Sequence, residues 1–75
     1  MNHKRKSKLN KIVSALSNLV DALNDIKDEE DEARENYPES YEGTPKYEES
    51  EEYSDALERA IDSLEDALSA IEEVD

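Results

Sequence analysis

Apolar residues recur at intervals of three and four in two segments of the chain, which is the spacing of one face of an α-helix. In the first segment they fill three heptad columns: a holds Leu9, Leu16 and Leu23, d holds Ile12, Leu19 and Ile26, and e holds Val13 and Val20. In the second segment, columns a and d hold Leu57, Ile61, Leu64, Leu68 and Ile71, and column g holds Tyr53, Ala60, Ala67 and Val74. The pattern predicts two amphipathic helices and an all-α fold.

Two prolines set the predicted helix ends. Pro38 disfavours helical backbone at Tyr37, so the first helix is expected at about 6–36. Thr44 followed by Pro45 is typical of an N-cap and a first helical residue, which places the second helix at about 45–73. The loop, 37–44, is short enough to force the helices antiparallel. The sequence therefore predicts a single helical-hairpin domain spanning 1–75.

A two-helix hairpin cannot cover a stripe three columns wide, because each helix hides only the side that faces its partner. The third column of each helix is expected to stay in water unless another chain packs on it. A second copy is the simplest cover, and it would make a homodimer in the form of a four-helix bundle. The alternative is a monomer whose free stripe receives a different protein. The oligomer core is expected to contain Leu9, Ile12, Val13, Leu16, Leu19, Val20, Leu23, Ile26, Leu57, Ile61, Leu64, Leu68 and Ile71.

The charge of the chain is strongly negative and uneven. Nine Lys and Arg residues against 22 Asp and Glu residues give −13. Residues 1–11 carry +5, whereas residues 28–55, which we call the loop end, carry 13 acids against two cations, or 2 − 13 = −11. Such a chain is repelled by nucleic acid and anionic membranes and attracted to basic protein surfaces. We therefore expect no direct contact with nucleic acid or membrane.

The basic N-terminal stretch has no apolar run behind it of the kind found in signal peptides, so the expected location is the cytoplasm, or the host cytoplasm if the protein is phage-encoded. In an antiparallel hairpin this stretch lies beside the end of the second helix. Ion pairs of the N-terminal cations with the C-terminal acids are therefore expected. The candidates are Arg5, Lys8 and Lys11 on one side and Glu65, Glu72 and Glu73 on the other.

The apolar pattern fails at the loop end of both helices. Columns a and d of the first helix continue as Glu30 and Ala33, and the second helix has Ser50 and Ser54 at core positions. Helix without packing depends on propensity alone, which is marginal in water. The loop end is therefore expected to be loosely packed and mobile.

No set of residues is typical of catalysis or of a metal site. Cysteine is absent. His3, the only histidine, lies in a terminus that is expected to fray, so the serines lack an activating base. The acidic run 28–32 has no glycine for a calcium loop. We expect a protein that is not an enzyme and that uses no cofactor and no metal.

The centre of the chain, Asn36-Tyr37-Pro38-Glu39-Ser40, lies between an acid-rich helix end and a second acidic helix rich in Ala, Ile and Leu. This arrangement resembles small acidic helical-hairpin proteins of phages and Gram-positive bacteria. The match departs from that pattern at Tyr41-Glu42 and at the following "GTPKY". The resemblance implies a helical hairpin, and a phage setting would favour an inhibitor of a host enzyme.

These observations favour a non-catalytic acidic module that binds a protein through its loop end. Its concrete form is a phage-type inhibitor that imitates DNA and covers a basic surface of a host nucleic-acid or defence enzyme. The expected contact residues are the anchors Tyr37, Tyr41, Tyr47 and Tyr53 and the charge partners Glu29, Glu30, Glu48, Glu49 and Glu52.

Two alternatives stay open. In the first, the protein is a structural or adaptor bundle whose acids only keep it in solution. In the second, an oligomer gathers its basic N-termini around a small anionic ligand such as a nucleotide, with Lys4, Arg5, Lys6 and Lys8 as the binding residues.

Overall fold

Two long antiparallel helices make up the computed structural model, which describes residues 1–74. Helix α1 spans His3–Glu35 and helix α2 spans Pro45–Glu72, and one turn of 3-10 helix at Glu39–Tyr41 lies in the connection. The hairpin measures 59 × 15 × 12 Å. The predicted all-α class and helical hairpin are confirmed.

Polar caps begin both helices. The side chain of Asn2 accepts a hydrogen bond from the backbone N–H of Arg5 at 2.9 Å, so α1 begins at His3, earlier than the predicted start. Thr44 caps α2 as predicted, with its Oγ1 accepting from the N–H of Tyr47 at 3.3 Å. In the loop, Gly43 has a φ of 79°, a conformation that suits glycine because it has no Cβ.

The core lies along columns a and e of α1 and columns a and d of α2. Val20 of α1 and Ile61 of α2 are buried, with 6% and 5% of their surface exposed. The leucines of column a in α1 are half-buried, as are Val13 of column e and the other core residues of α2. The hairpin is held by a narrow aliphatic seam with little fully buried area.

Column d of α1 is the column left in water. Ile12, Leu19 and Ile26 expose 49%, 56% and 51% of their surface. On α2 the exposed column is g, where Tyr53, Ala60 and Ala67 are all exposed. A third column in water was predicted. The sequence pattern did not show whether on α1 it would be column d or column e, because these two columns are the edges that flank column a.

The predicted ion pairs do not form at the open end of the hairpin, where α1 begins and α2 ends. Within residues 1–74 the ion pairs join Asp31 to Lys27 at 2.8 Å and to Arg34 at 2.7 Å. The contact at the open end is a hydrogen bond that Lys6 Nζ donates to the carbonyl oxygen of Val74. This contact uses a backbone acceptor, so the prediction of pairs between Arg5, Lys8 or Lys11 and the C-terminal glutamates is wrong for the hairpin alone.

Candidate functional site

A polar network built around Arg34 closes the loop end of the hairpin. Arg34 Nη1 donates to the carbonyl oxygen of Ser50 at 3.1 Å, to Ser50 Oγ at 3.2 Å and to Ser54 Oγ at 2.9 Å. Its Nη2 donates to Asp31 Oδ1 at 2.7 Å. The serine hydroxyls donate back to α1, Ser50 to Glu30 at 2.8 Å and Ser54 to Asp31 at 2.6 Å. We call these five residues the Arg34 network.

The Arg34 network continues the core where apolar residues run out. Ser50 and Ser54 are buried, at 4% and 5% exposed, and no buried side-chain polar atom of residues 1–74 lacks a hydrogen-bond partner. The expectation of a loosely packed loop end is therefore wrong. One sequence signal could have revealed the network: column e of α1 continues past Val20 as Lys27 and Arg34, and Arg34 lies opposite the two serines. Small hydroxyl residues leave room for a guanidinium fork to reach between the helices.

The carboxyl group of Asp31 accepts three hydrogen bonds, two from the Arg34 network and one from Lys27. Hydrogen bonds from Lys27, Ser54 and Arg34, in that order of effect, hold the pKa of Asp31 well below its ordinary value. Asp31 in turn raises the pKa of Lys27 and of Arg34. The network is thus charged on both sides at neutral pH, with the carboxylate as its common acceptor.

Stability should depend on the charge of Asp31. A pKa lowered by folding contributes stability that is complete above the unfolded pKa, about 3.9 for Asp, and is lost as the pH falls toward the folded value. Asp31→Asn should therefore have a lower free energy of unfolding than the parent at neutral pH. The difference between the two proteins should become smaller below about pH 4. Urea unfolding from about pH 7 to pH 2 measures it. Asp28→Asn, at an exposed acid of the same helix, is the control, and an Asp31→Asn gap that stays constant to the lowest pH would contradict the assignment.

The four tyrosines divide into an inner and an outer pair. Tyr37 and Tyr47 are half-buried. The centre of the Tyr37 ring lies 6.4 Å from the centre of the Tyr47 ring and 5.7 Å from that of Tyr41, which it meets edge-on. Lys46 Nζ lies 5.8 Å from the centre of the Tyr37 ring. Tyr41 and Tyr53 expose 46% and 53% of their surface. Tyr41 and Tyr53 therefore offer the larger accessible aromatic surface.

Tyr53 is tied to the acidic surface. Its hydroxyl donates to Glu49 Oε1, and that hydrogen bond, followed by the charge of Glu49, raises the pKa of Tyr53. The Tyr53 hydroxyl therefore remains protonated at neutral pH, and it lies beside a carboxylate. A basic partner would meet both an apolar ring and a negative charge at this point.

The acids of the loop end are mostly on the surface. Of its 13 acids, all but Glu30 and Asp31 are exposed. The predicted charge partners Glu29, Glu48, Glu49 and Glu52 are among the exposed ones. Glu30 is half-buried and accepts from Ser50, so it serves the Arg34 network as well as the surface. The acidic surface continues along α2 in a shallow groove lined by Glu52, Asp55, Glu58, Arg59 and Asp62.

A mostly apolar depression of about 340 Å³ opens between the helices beside the Arg34 network. It is lined by Ile26, Glu30, Tyr53, Ala56 and Leu57. The depression places Ile26 of column d and Tyr53 of column g on one face of the hairpin. Since column members recur every seven residues, this face carries both exposed columns along its length.

The cations proposed for an anionic ligand lie in the first turns of α1. Lys4, Arg5 and Lys8 are exposed, whereas Lys6 is half-buried and donates to Val74. One hairpin therefore spreads its cations along the helix. Within the part of the chain that the structure describes, no helix has the length and apolar character to cross a membrane.

Comparison with protein-family models, with curated proteins and with solved structures finds no match to this chain. The functional argument therefore depends on the two surfaces described above, the acidic loop end and the exposed apolar face.

Proposed function

We propose that the protein is a non-catalytic acidic module that binds a basic protein surface through its loop end, and that two copies dimerise into a four-helix bundle. The observation that carries the binding function is the dense set of exposed carboxylates around Tyr41 and Tyr53. The partner we propose is a basic surface of the kind that binds nucleic acid.

Charge and the Arg34 network support the loop end as the contact surface. It carries −11, and the ion pairs within the described chain involve only Asp31 among its acids. The exposed carboxylates are therefore available to a partner. The Arg34 network joins the two helices beneath them, so their spacing is set before binding and little ordering entropy is lost. Complementary charge of this density accelerates association and selects basic partners.

The DNA-like version of this proposal follows from the shape of the molecule. DNA presents one negative charge per about 1.7 Å of axis, and the hairpin is a rod 59 Å long that concentrates a charge of −11 at its loop end. A groove evolved to hold a nucleic-acid backbone would accept such a rod, and Tyr41 and Tyr53 would supply ring surfaces where bases stack. Together with the resemblance to phage hairpin proteins, this supports an inhibitor of a host nucleic-acid or defence enzyme, acting in the cytoplasm.

Neutralising the surface glutamates should weaken partner binding by about tenfold or more, because several close charge pairs are lost together. The test immobilises the protein, exposes it to a nuclease-treated bacterial extract and quantifies the retained proteins. The variant is Glu48→Gln/Glu49→Gln/Glu52→Gln. Retained proteins should be rich in basic nucleic-acid-binding proteins. They should elute as the salt rises toward about 1 M, where the Debye length is about 3 Å.

A matched control changes the same charge elsewhere. Glu65→Gln/Asp66→Asn/Glu72→Gln removes three exposed acids from the other half of α2, and it should retain partners like the parent. A second variant, Tyr41→Ala/Tyr53→Ala, should lose binding while keeping every carboxylate. Retention that resists salt and is equal in the parent and the first glutamine variant would overturn the proposed function.

The exposed apolar column of α1 favours a second candidate function. Ile12, Leu19 and Ile26 stand in water along one line of the hairpin, as expected for a structural or adaptor bundle whose purpose is assembly. In that case charge changes at the loop end would leave activity intact, and an acidic residue in the apolar stripe would abolish it. The glutamine variant of the loop end, compared with an aspartate in the stripe such as Leu19→Asp, therefore separates the two functions.

A further inference from the structure

The exposed face of α1 has a pattern that is nearly symmetric about its centre. Column d presents Ile12, Leu19 and Ile26, with an isoleucine seven residues to either side of Leu19. Column g, next to it, presents Lys8, Ala15, Ala22 and Glu29, all exposed. The two alanines flank the centre at nearly equal distances, and the outer positions carry opposite charges.

The charge of α1 reverses at the same centre. Residues 1–20 contain five cations and no acids, or +5, whereas residues 21–35 contain eight acids and two cations, or 2 − 8 = −6. Within the described chain, Lys8 has no ion-pair partner, since the pairs that form are those of Asp31. A helix whose apolar face is symmetric and whose charge is antisymmetric complements a second copy of itself laid antiparallel.

We propose that two hairpins pair face to face with their α1 helices antiparallel, around a two-fold axis at Leu19. Leu19 then meets Leu19 of the second copy, and Ile12 meets Ile26 of the second copy in two equivalent layers. Ala15 and Ala22 leave the helix backbones free to approach closely. Lys8 lies opposite Glu29 of the second copy, so each dimer gains two ion pairs. This inference rests on the dimer in the proposed function and specifies its geometry.

In this dimer, Ile12 of the second copy packs into the depression at Ile26. Ile26 and Leu57 provide apolar walls, Ala56 leaves space, and Tyr53 forms one side. Both ends of the dimer offer this depression, because the two-fold axis makes each contact twice. The exposed column d of the hairpin thereby becomes the centre of a four-helix bundle.

Charge also selects this arrangement over the other two-fold packing. An axis along the rod would place two loop ends side by side, each carrying −11. The antiparallel arrangement sets each loop end beside an open end, residues 1–20 and 56–75, whose charge is 5 + (1 − 7) = −1. The two acidic loop ends then lie at opposite ends of the bundle. The dimer is therefore bivalent, with two separate surfaces for basic partners.

Single cysteines test the register directly, because the parent chain contains no cysteine. Under mild oxidation, Leu19→Cys should form disulfide-linked dimers in high yield. Ile12→Cys and Ile26→Cys should each stay monomeric on a denaturing gel alone, and should cross-link when mixed. Ser14→Cys, about 200° around α1 from Ile12 at 100° per residue, is the control and should not cross-link.

Charge exchange provides a second test that leaves the apolar face intact. Lys8→Glu or Glu29→Lys should each raise the dimer Kd by about tenfold, since two pairs per dimer become repulsive. The double variant should return to within about threefold of the parent Kd. Restoration together with the cross-links supports the register. A dimer without these cross-links, or without restoration, overturns the register and leaves the dimer standing. A monomer at every concentration overturns both, whereas the binding function of the loop end is judged by the glutamine variants.

Discussion

Replacing Arg34 by alanine should lower the free energy of unfolding by about 2–3 kcal/mol, a large share for a small domain. Arg34 Nη1 and Nη2 together reach Ser50, Ser54 and Asp31 across the helix pair. The variant loses these charge-assisted hydrogen bonds and leaves polar groups without their donor inside the seam. Urea unfolding followed by circular dichroism, at one fixed protein concentration, measures the change.

Two further variants make the Arg34 result specific. Arg59→Ala removes an exposed arginine whose hydrogen bond, to the carbonyl oxygen of Asp55 at 3.4 Å, is local to α2, and it should cost less than about 0.5 kcal/mol. A quadruple variant replaces Arg34 and Asp31 by leucine and Ser50 and Ser54 by alanine. It should recover much of the lost stability, because an apolar seam needs no hydrogen bonds. Equal losses for Arg34→Ala and Arg59→Ala would show that the network does not hold the loop end.

Leu19→Asp should convert the dimer to a monomer at concentrations where the parent is fully dimeric. In the antiparallel arrangement the substitution places two carboxylates against each other on the two-fold axis, away from water. The expected rise in dimer Kd is at least about a hundredfold, or about 2.7 kcal/mol. Light scattering after size-exclusion chromatography gives the mass of each variant.

Ser17→Asp is the matched control for Leu19→Asp. It adds the same charge to the same helix at an exposed position about 200° around the axis from Leu19, and it should leave the dimer mass unchanged. If both aspartates dissociate the dimer equally, net charge and not the apolar face governs assembly. If neither does, the exposed column d lies outside the interface.

Much of the fold follows from local patterns in the sequence. Thr44-Pro45 and Pro38 locate the turn because capping and proline geometry act within a few residues. The a and d columns of α2 pack as their spacing predicts. Which columns of α1 face α2 is harder to predict from the sequence, since an apolar stripe three columns wide can turn either edge toward its neighbour. The structure turns columns a and e inward and leaves Leu19 in water.

The Arg34 network was missed for a different physical reason. Hydropathy treats Arg34, Asp31, Ser50 and Ser54 as surface residues, yet together they satisfy one another and bury both serines. Such a network depends on residues of two helices being in register, which no single-helix pattern contains. The acidic character of the loop end can be predicted from the sequence alone. The structure adds that Tyr41 and Tyr53 are its more exposed tyrosines.

The solution mass of the parent protein tests the central claim of this account, that one hairpin is half of an assembly closed by its own second copy. Multi-angle light scattering across a range of concentrations should give a plateau at about 17 kDa, twice the chain mass of 8.6 kDa. A mass of 8.6 kDa that persists to the highest concentrations, with Ile12, Leu19 and Ile26 still in water, would contradict it.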